Sequence, residues 1–198
     1  MKYTCAYCSK HSCHNGNLKD APLNCPTKSE DFNNIVHEYK KIENYDIAKA
    51  SAEIVMDNYG YKTRLQEIID FSKKMNYQKI GLAFCVGLSE EAKVTAKILR
   101  RNNFEVESLI CKIGKIDRKE IGILNCKVPM CNPIGQAKFF NKIHTDFNIV
   151  LGLCVGHDTL FFKYSKAPVT VFAVKDRVLA HNPLGVIYQS NSYYKNKI

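Results

Sequence analysis

From residue 79 onward, short apolar runs alternate with segments of helical periodicity, and this alternation restricts the fold more than any other feature of the chain. KIGLAFC (79–85) is a short apolar run, the mark of a buried strand. A helix is expected to follow it to about Asn102, with Ser89 as its cap and Ala92, Ala96 and Leu99 on one face. FEVESLIC (104–111) alternates as a strand does. Residues 112–133 read as loop with a short strand at 121–124, and a helix is expected over about 134–144. FNIVLGLC (147–154) is a second buried strand. DTLFFKYS (158–165) reads as helix with Asp158 near its start, and Pro168 opens a third apolar strand, PVTVFAV (168–174). The tail after Pro183 has room for one short helix. Strand alternating with helix implies right-handed βαβ units. The expectation is an α/β domain with a mostly parallel, Rossmann-like sheet of about four strands and helices on both faces.

The preceding residues are of a different kind. Residues 1–30 read as loop, rich in Cys and Asn and poor in large aliphatics, so they cannot build a core and need a staple. Residues 31–76 read as a helical lead-in. Ile47, Ala48, Ser51, Ile54 and Val55 fall at helical spacing in the first helix, which Asn58 and Gly60 end. Thr63 can cap the next, with Leu65, Ile68, Ile69, Ser72 and Met75 on its inner face. The domain reading is therefore 1–30 as a metal-binding segment and 31–198 as the α/β domain, its sheet and helices at 79–190.

Charge and hydropathy exclude some classes. Net charge is +10, but it comes from scattered Lys rather than from a dense basic run, so a solvated surface is preferred to nucleic-acid binding. The longest apolar runs are strand-sized and too short to span a bilayer. MKYTCAYCSKHSC has no apolar stretch of the signal-peptide kind, which points to a reducing cytoplasm.

Nine Cys is high for such a compartment, and an odd number argues against a disulfide framework. Their positions suggest two sets. The first is Cys5-x2-Cys8-x4-Cys13-x11-Cys25, in which a Cys-x-x-Cys pair chelates one ion in a tight turn and two further thiolates complete a tetrahedral shell. Zinc is the default occupant, an iron–sulfur cluster the runner-up, and His11 or His14 can replace one Cys. A thioredoxin-like redox pair is disfavoured, because no strand precedes the motif. The second set is Cys85, Cys111 and Cys154 at strand ends and Cys131 before a helix, with Cys126 as a fifth member. In a parallel sheet all carboxyl ends share the edge where α/β proteins bind ligands, so these thiols can meet there to hold a second metal or an iron–sulfur cluster. Each taken singly is also an ordinary small apolar residue at a buried strand end.

His157 and Asp158 follow Cys154 and would overlook the same edge, as ligand or general acid/base; equally, Asp158 caps a helix that His157 merely precedes. His181 is a weaker candidate, and His37 and His144 read as surface residues. Arg64 and Glu67 form an ordinary i, i+3 pair on a helix, though Arg64 is also able to bind an anion. No nucleotide-binding or hydrolase motif is present. GLAFCVGLSEEA (81–92) and LGLCVGHDTLF (151–161) share the order strand, Cys-Val-Gly, helix, too little to establish a duplication.

Five segments, CAYCSKHSC, TRLQEIIDFSKKMNYQKIGLAFCVGLSEEA, CNPIGQAKFFN, TDFNIVLGLCVGHD and YSKAPVTVFAVKDRVLAHNPLG, carry a resemblance over about residues 3–190. The chain resembles the cysteine-rich metal-binding proteins of anaerobic bacteria and archaea that share a domain of unknown function. The resemblance implies metal binding at Cys5, Cys8, Cys13 and Cys25. It strengthens the reading of Cys85, Cys111, Cys131 and Cys154 as functional, while Cys126 lies outside the recognisable segments. It implies no reaction. Where such proteins carry a second Gly after Cys-Lys-[Ile/Val]-Gly, this chain has Lys115. The expected function is a structural zinc site at the front and a redox or iron–sulfur centre at the sheet edge. The alternatives are a metal carrier or sensor, and an interaction module with only the front site. No protein or small-molecule partner is legible.

Overall fold

The computed structural model describes residues 5–123 and 128–198, so Cys126 and residue 124 of the expected strand lie outside the described residues. The chain divides into two compact units, one ending at Asp57 and the other beginning at Asn58. In the first, a 3-10 turn (Cys5–Tyr7) and two single-turn helices, α1 (Ser12–Asn15) and α2 (Pro26–Ser29), precede α3 (Ile35–Tyr39) and α4 (Ile42–Asn58). Ala50 and Ile54 are the buried positions of α4. Ser51 and Val55, expected on its inner face, are exposed: the buried stripe is narrower than the apolar pattern, and a one-position offset turns a helical side chain by about 100°.

The second unit opens with α5 (Arg64–Lys74). Thr63 caps it as expected. The Gln66 N–H donates to Thr63 Oγ1, and the Gln66 side chain accepts from the Thr63 N–H at 2.9 Å, a reciprocal box that satisfies two otherwise orphaned donors. Ile68, Ile69 and Ser72 face inward, and Ser72 satisfies its buried hydroxyl on the Ile68 carbonyl at 2.8 Å.

Four strands follow: β1 (Lys79–Phe84), β2 (Glu105–Ile110), β3 (Phe147–Leu151) and β4 (Val169–Ala173). All pair in parallel, in the order β2-β1-β3-β4. The connecting helices are α6 (Ser89–Arg101), α7 (Pro133–Lys142) and α8 (His157–Tyr164), and α9 (Leu184–Tyr188) lies in the tail. Strand side chains alternate between faces. Ile80, Leu82, Val106, Phe147, Ile149 and Leu151 pack with α5 and α6 residues on one face. Ala83, Leu109 and Val150 pack with Ala137 and Phe140 of α7 and Phe161 of α8 on the other. The unit is thus a three-layer α/β sandwich with helices on both faces. No helix among the described residues is long and apolar enough to cross a membrane.

This strand order creates a switch point. The chain leaves β1 for α6 on one face of the sheet. It leaves the adjacent β3 for α8 on the opposite face, so the two loops diverge and open a crevice between them.

Three local expectations are corrected. Ser89 is the first residue of α6 rather than its cap; Leu88 precedes it, and the Ser89 hydroxyl donates to Val86 O at 2.6 Å. α8 begins at His157, with Gly156 at φ 84° as N-cap, so Asp158 lies within the first turn and caps nothing. Its Oδ1 accepts from the Thr159 N–H instead. Over 121–123 the expected strand is replaced by the end of a 3-10 turn (Arg118–Ile121) closed by left-handed Gly122, because Asp117 accepts from the Lys119 N–H and starts a turn there.

Two positions test this packing. Gly81 pairs with Asn148 across the sheet, and a Cβ on Gly81 would overlap Asn148 Oδ1 and stand 2.9 Å from the Phe140 ring. Asn148 is fully buried, held by Thr145 at 2.8 Å and Ser165 at 2.8 Å, and cannot withdraw. Gly81→Ala is therefore expected to lower stability by about 1–3 kcal/mol in urea denaturation. Lys115, where the resemblance led to the expectation of a second Gly, has φ 49°, in the left-handed region that favours Gly. Lys115→Gly is expected to raise stability by up to about 1 kcal/mol in the same assay, because the strain removed exceeds the added unfolded-state entropy.

Candidate functional site

Backbone pairing brings the strand-end cysteines to the same edge of the sheet. Cys85 is one residue past β1 and donates its N–H to Leu151 O at 3.1 Å; Cys111 is one past β2 and donates to Phe84 O at 2.8 Å. Cys131 is drawn in through its neighbour, since the Asn132 N–H donates to Cys111 O at 2.7 Å. Asn132 Nδ2 also reaches Ile113 O, and its Oδ1 caps α7 through the Gly135 N–H at 2.8 Å. One asparagine therefore sets the start of α7 and fixes Cys131 beside Cys111. Their sulfurs lie 3.7 Å apart. Cys154 follows β3 by three residues, across left-handed Gly152.

The electrostatics differ from thiol to thiol. Burial pushes the Cys111 thiol up to about 12, although the Val86 N–H, 3.4 Å from its sulfur, works the other way; Cys131 and then Cys85 add to the rise. Cys111 is therefore a protonated thiol at neutral pH. Cys154 has a guanidinium partner, with Arg177 Nη2 3.2 Å from its sulfur. That bond and the charge of Cys154, then those of Cys85 and Cys131, raise the pKa of Arg177. The guanidinium thus senses three of the four thiols. Gln136, fully buried on α7, donates through Nε2 to Leu109 O at 2.7 Å, two residues before Cys111, while its Oε1 has no partner.

His157 is half-buried, and burial lowers its pKa first. Asp158 opposes this, and Arg118, Lys112 and Arg177 reinforce it. The imidazole is neutral at pH 7, the state a metal ligand or general base requires.

The sequence reading missed the cations. Lys175 and Arg177 follow β4, and their signal was present in VKDR, two bases just beyond an apolar strand. Arg64 spends its guanidinium on Thr170 Oγ1, 2.6 Å away, and on Glu67 at 4.0 Å. His181 accepts the Asp176 N–H at Nδ1 and serves a turn. His37 and His144 are exposed.

In the N-terminal unit, Cys5, Cys8 and Cys25 line one cavity of about 180 Å³ with Lys10 and Asn24. The Cys-x-x-Cys turn is closed by the Cys8 N–H on Cys5 O at 3.1 Å. Cys13 lies on α1, exposed, and does not line that cavity; His11 and His14 are also exposed. All eight described cysteines are free thiols. Three thiols around one cavity suit a soft cation in kind. Among the described residues, however, no three His, Cys, Asp or Glu side chains converge closely enough to share one ion.

Comparison with known proteins finds similarity along most of the chain. An uncharacterised protein of Methanocaldococcus jannaschii is 50% identical over 198 residues, covering 98% of this chain and 97% of its own length. No solved structure matches the chain. A family described only as a protein of unknown function, DUF1847, matches residues 25–172, which contain the whole sheet apart from the last residue of β4 and all four sheet-edge cysteines. The chain belongs to this family.

Proposed function

We propose that the protein is a thiolate-based metal-binding protein of a reducing cytoplasm. In this reading the N-terminal cysteines hold a structural zinc, and the working centre is the thiol group at the sheet edge, a redox or iron–sulfur centre. One observation carries it: Cys85, Cys111, Cys131 and Cys154 come from four separate segments to the same end of a parallel sheet, with the Cys111 and Cys131 sulfurs 3.7 Å apart. Bound there, a soft metal or cluster would supply electron transfer or Lewis acidity. The chain's own residues serve that chemistry in definable ways. Arg177 offsets negative charge on Cys154, the Val86 N–H hydrogen-bonds the Cys111 sulfur, and the apolar packing of Ala137, Phe140 and Leu153 limits water.

Metal, iron and acid-labile sulfide analysis after purification without oxygen tests this. About one zinc per chain is expected to disappear in Cys8→Ser. Iron, sulfide and absorption near ~400 nm are expected to disappear in Cys131→Ser while the zinc remains. A colourless wild-type protein with one zinc and no iron or sulfide would reduce the sheet-edge cysteines to core residues, leaving an interaction module.

The exposure of Cys5 and Cys13 favours one second reading, a metal carrier or sensor that releases its ion reversibly. Zinc leaving rapidly to a weak chelator, with the fold retained, distinguishes it from a structural site, whose metal is coupled to folding.

The Cys111 thiol adds a pH test. It is protonated below about 12, so a metal taking this sulfur displaces a proton. Zinc affinity at the sheet edge is expected to fall by about tenfold per pH unit, per displaced proton, as pH is lowered from 8 to 6. Competition titrations with a chromophoric chelator measure this, and Cys111→Ser is expected to flatten the slope by that one proton.

A further inference from the structure

The switch-point crevice holds one cation that the thiol chemistry does not account for, Lys175, near one that it uses, Arg177. Lys175 leaves β4 with its N–H on Leu153 O at 3.2 Å. Its ammonium lies 3.5 Å from where a Cβ on Gly87 would be and 3.6 Å from where one on Gly152 would be. It therefore stands between the loop that leaves β1 and the loop that leaves β3, over Gly87, which has no side chain, and beside Leu88, whose side chain fills the space over Gly152. Lys175 is half-buried, and among the described residues no carboxylate pairs with it.

Two residues on, Arg177 reaches back to Cys154. The acid between them, Asp176, is engaged elsewhere: its Oδ1 accepts from the Val178 N–H at 2.9 Å and the Leu179 N–H at 2.8 Å. That turn faces both basic side chains toward the crevice without neutralising them. Lys112 and Arg118 act with Arg177 on His157, and the Lys112 ammonium donates to Pro129 O. Asp158, next to His157 at the start of α8, already accepts from the Thr159 N–H.

A half-buried ammonium without a counter-ion carries a desolvation cost that an anion would offset. The location agrees, because ligands of open α/β sheets bind where the strand order reverses. We propose that this crevice binds the oxyanion group, phosphate or carboxylate, of a small substrate through Lys175 and Arg177, which sets the rest of that substrate against Cys85 and Cys154. The site is narrow, one ammonium between two loops, and suits a single anionic group. It stands whether or not the thiols carry a metal.

Calorimetric titration of the full-length protein, purified without oxygen and with its metal content counted, tests the site with inorganic phosphate and with malonate at low ionic strength. Wild-type protein is expected to bind one of these anions saturably, and the tighter one names the substrate class. Lys175→Met and Arg177→Met are each expected to weaken binding by about 10- to 100-fold, the value of one charge-assisted hydrogen bond. Lys175→Arg should retain most of it, which separates lost charge from lost folding. Lys97→Met, an exposed charge on α6, should leave it unchanged. No saturable binding by the wild type, or equal binding by wild type and both crevice variants, overturns the proposal. So does an equal loss in Lys97→Met, which would make the effect one of net charge. Unaltered metal content in Lys175→Met keeps this result separate from the metal reading.

Discussion

Everything functional in the second unit depends on β1 being the interior strand from which the chain reverses direction across the sheet. β1 is hydrogen-bonded along both edges, to β2 and β3, and its side chains are buried on both faces. Such a position admits only apolar or very small residues, hence Ile80, Gly81, Leu82 and Ala83. Right-handed crossovers then force α6 onto one face and α7 and α8 onto the other. The β1 and β3 loops must part at their carboxyl ends, and the crevice between them follows from the topology.

Into that crevice the chain delivers groups of opposite character. Cys111 is buried and held as a neutral thiol, whereas Cys154 is half-exposed beside a guanidinium. Cys131 belongs to neither environment, because Asn132 ties it to Cys111 while Arg177 still senses its charge. A buried protonated thiol, a thiol beside a guanidinium and a half-buried imidazole thus lie along one edge of the sheet.

Cys5, Cys8 and Cys25 present a different physical problem. Their segment has few large apolar groups and buries only Ser12 and Ala21 among its described residues before α2. A shared cavity lined by three thiols is a place where an ion could do what a hydrophobic core does elsewhere.

Local chemistry was sufficient for much of this. The four strands, the alternation with helices and the Thr63 cap were all legible, because apolar period and capping chemistry are properties of local sequence. Helix starts were less so: Ser89 and Asp158 look like caps, but the turns entering α6 and α8 bring the chain into helix at Ser89 and at His157, so both residues fall inside the helix. The two bases of VKDR were visible as residues, but not the place they take. Lys175 and Arg177 are two of many scattered bases until β4 is placed beside β3, and only the reversal of strand order carries them over the loops of β1 and β3. The sequence alone therefore determined which residues could be strand, helix and thiol donor. The tertiary structure alone decided which charges face them, because neighbours distant in the chain are chosen by strand order, and strand order is a product of packing that no local pattern encodes.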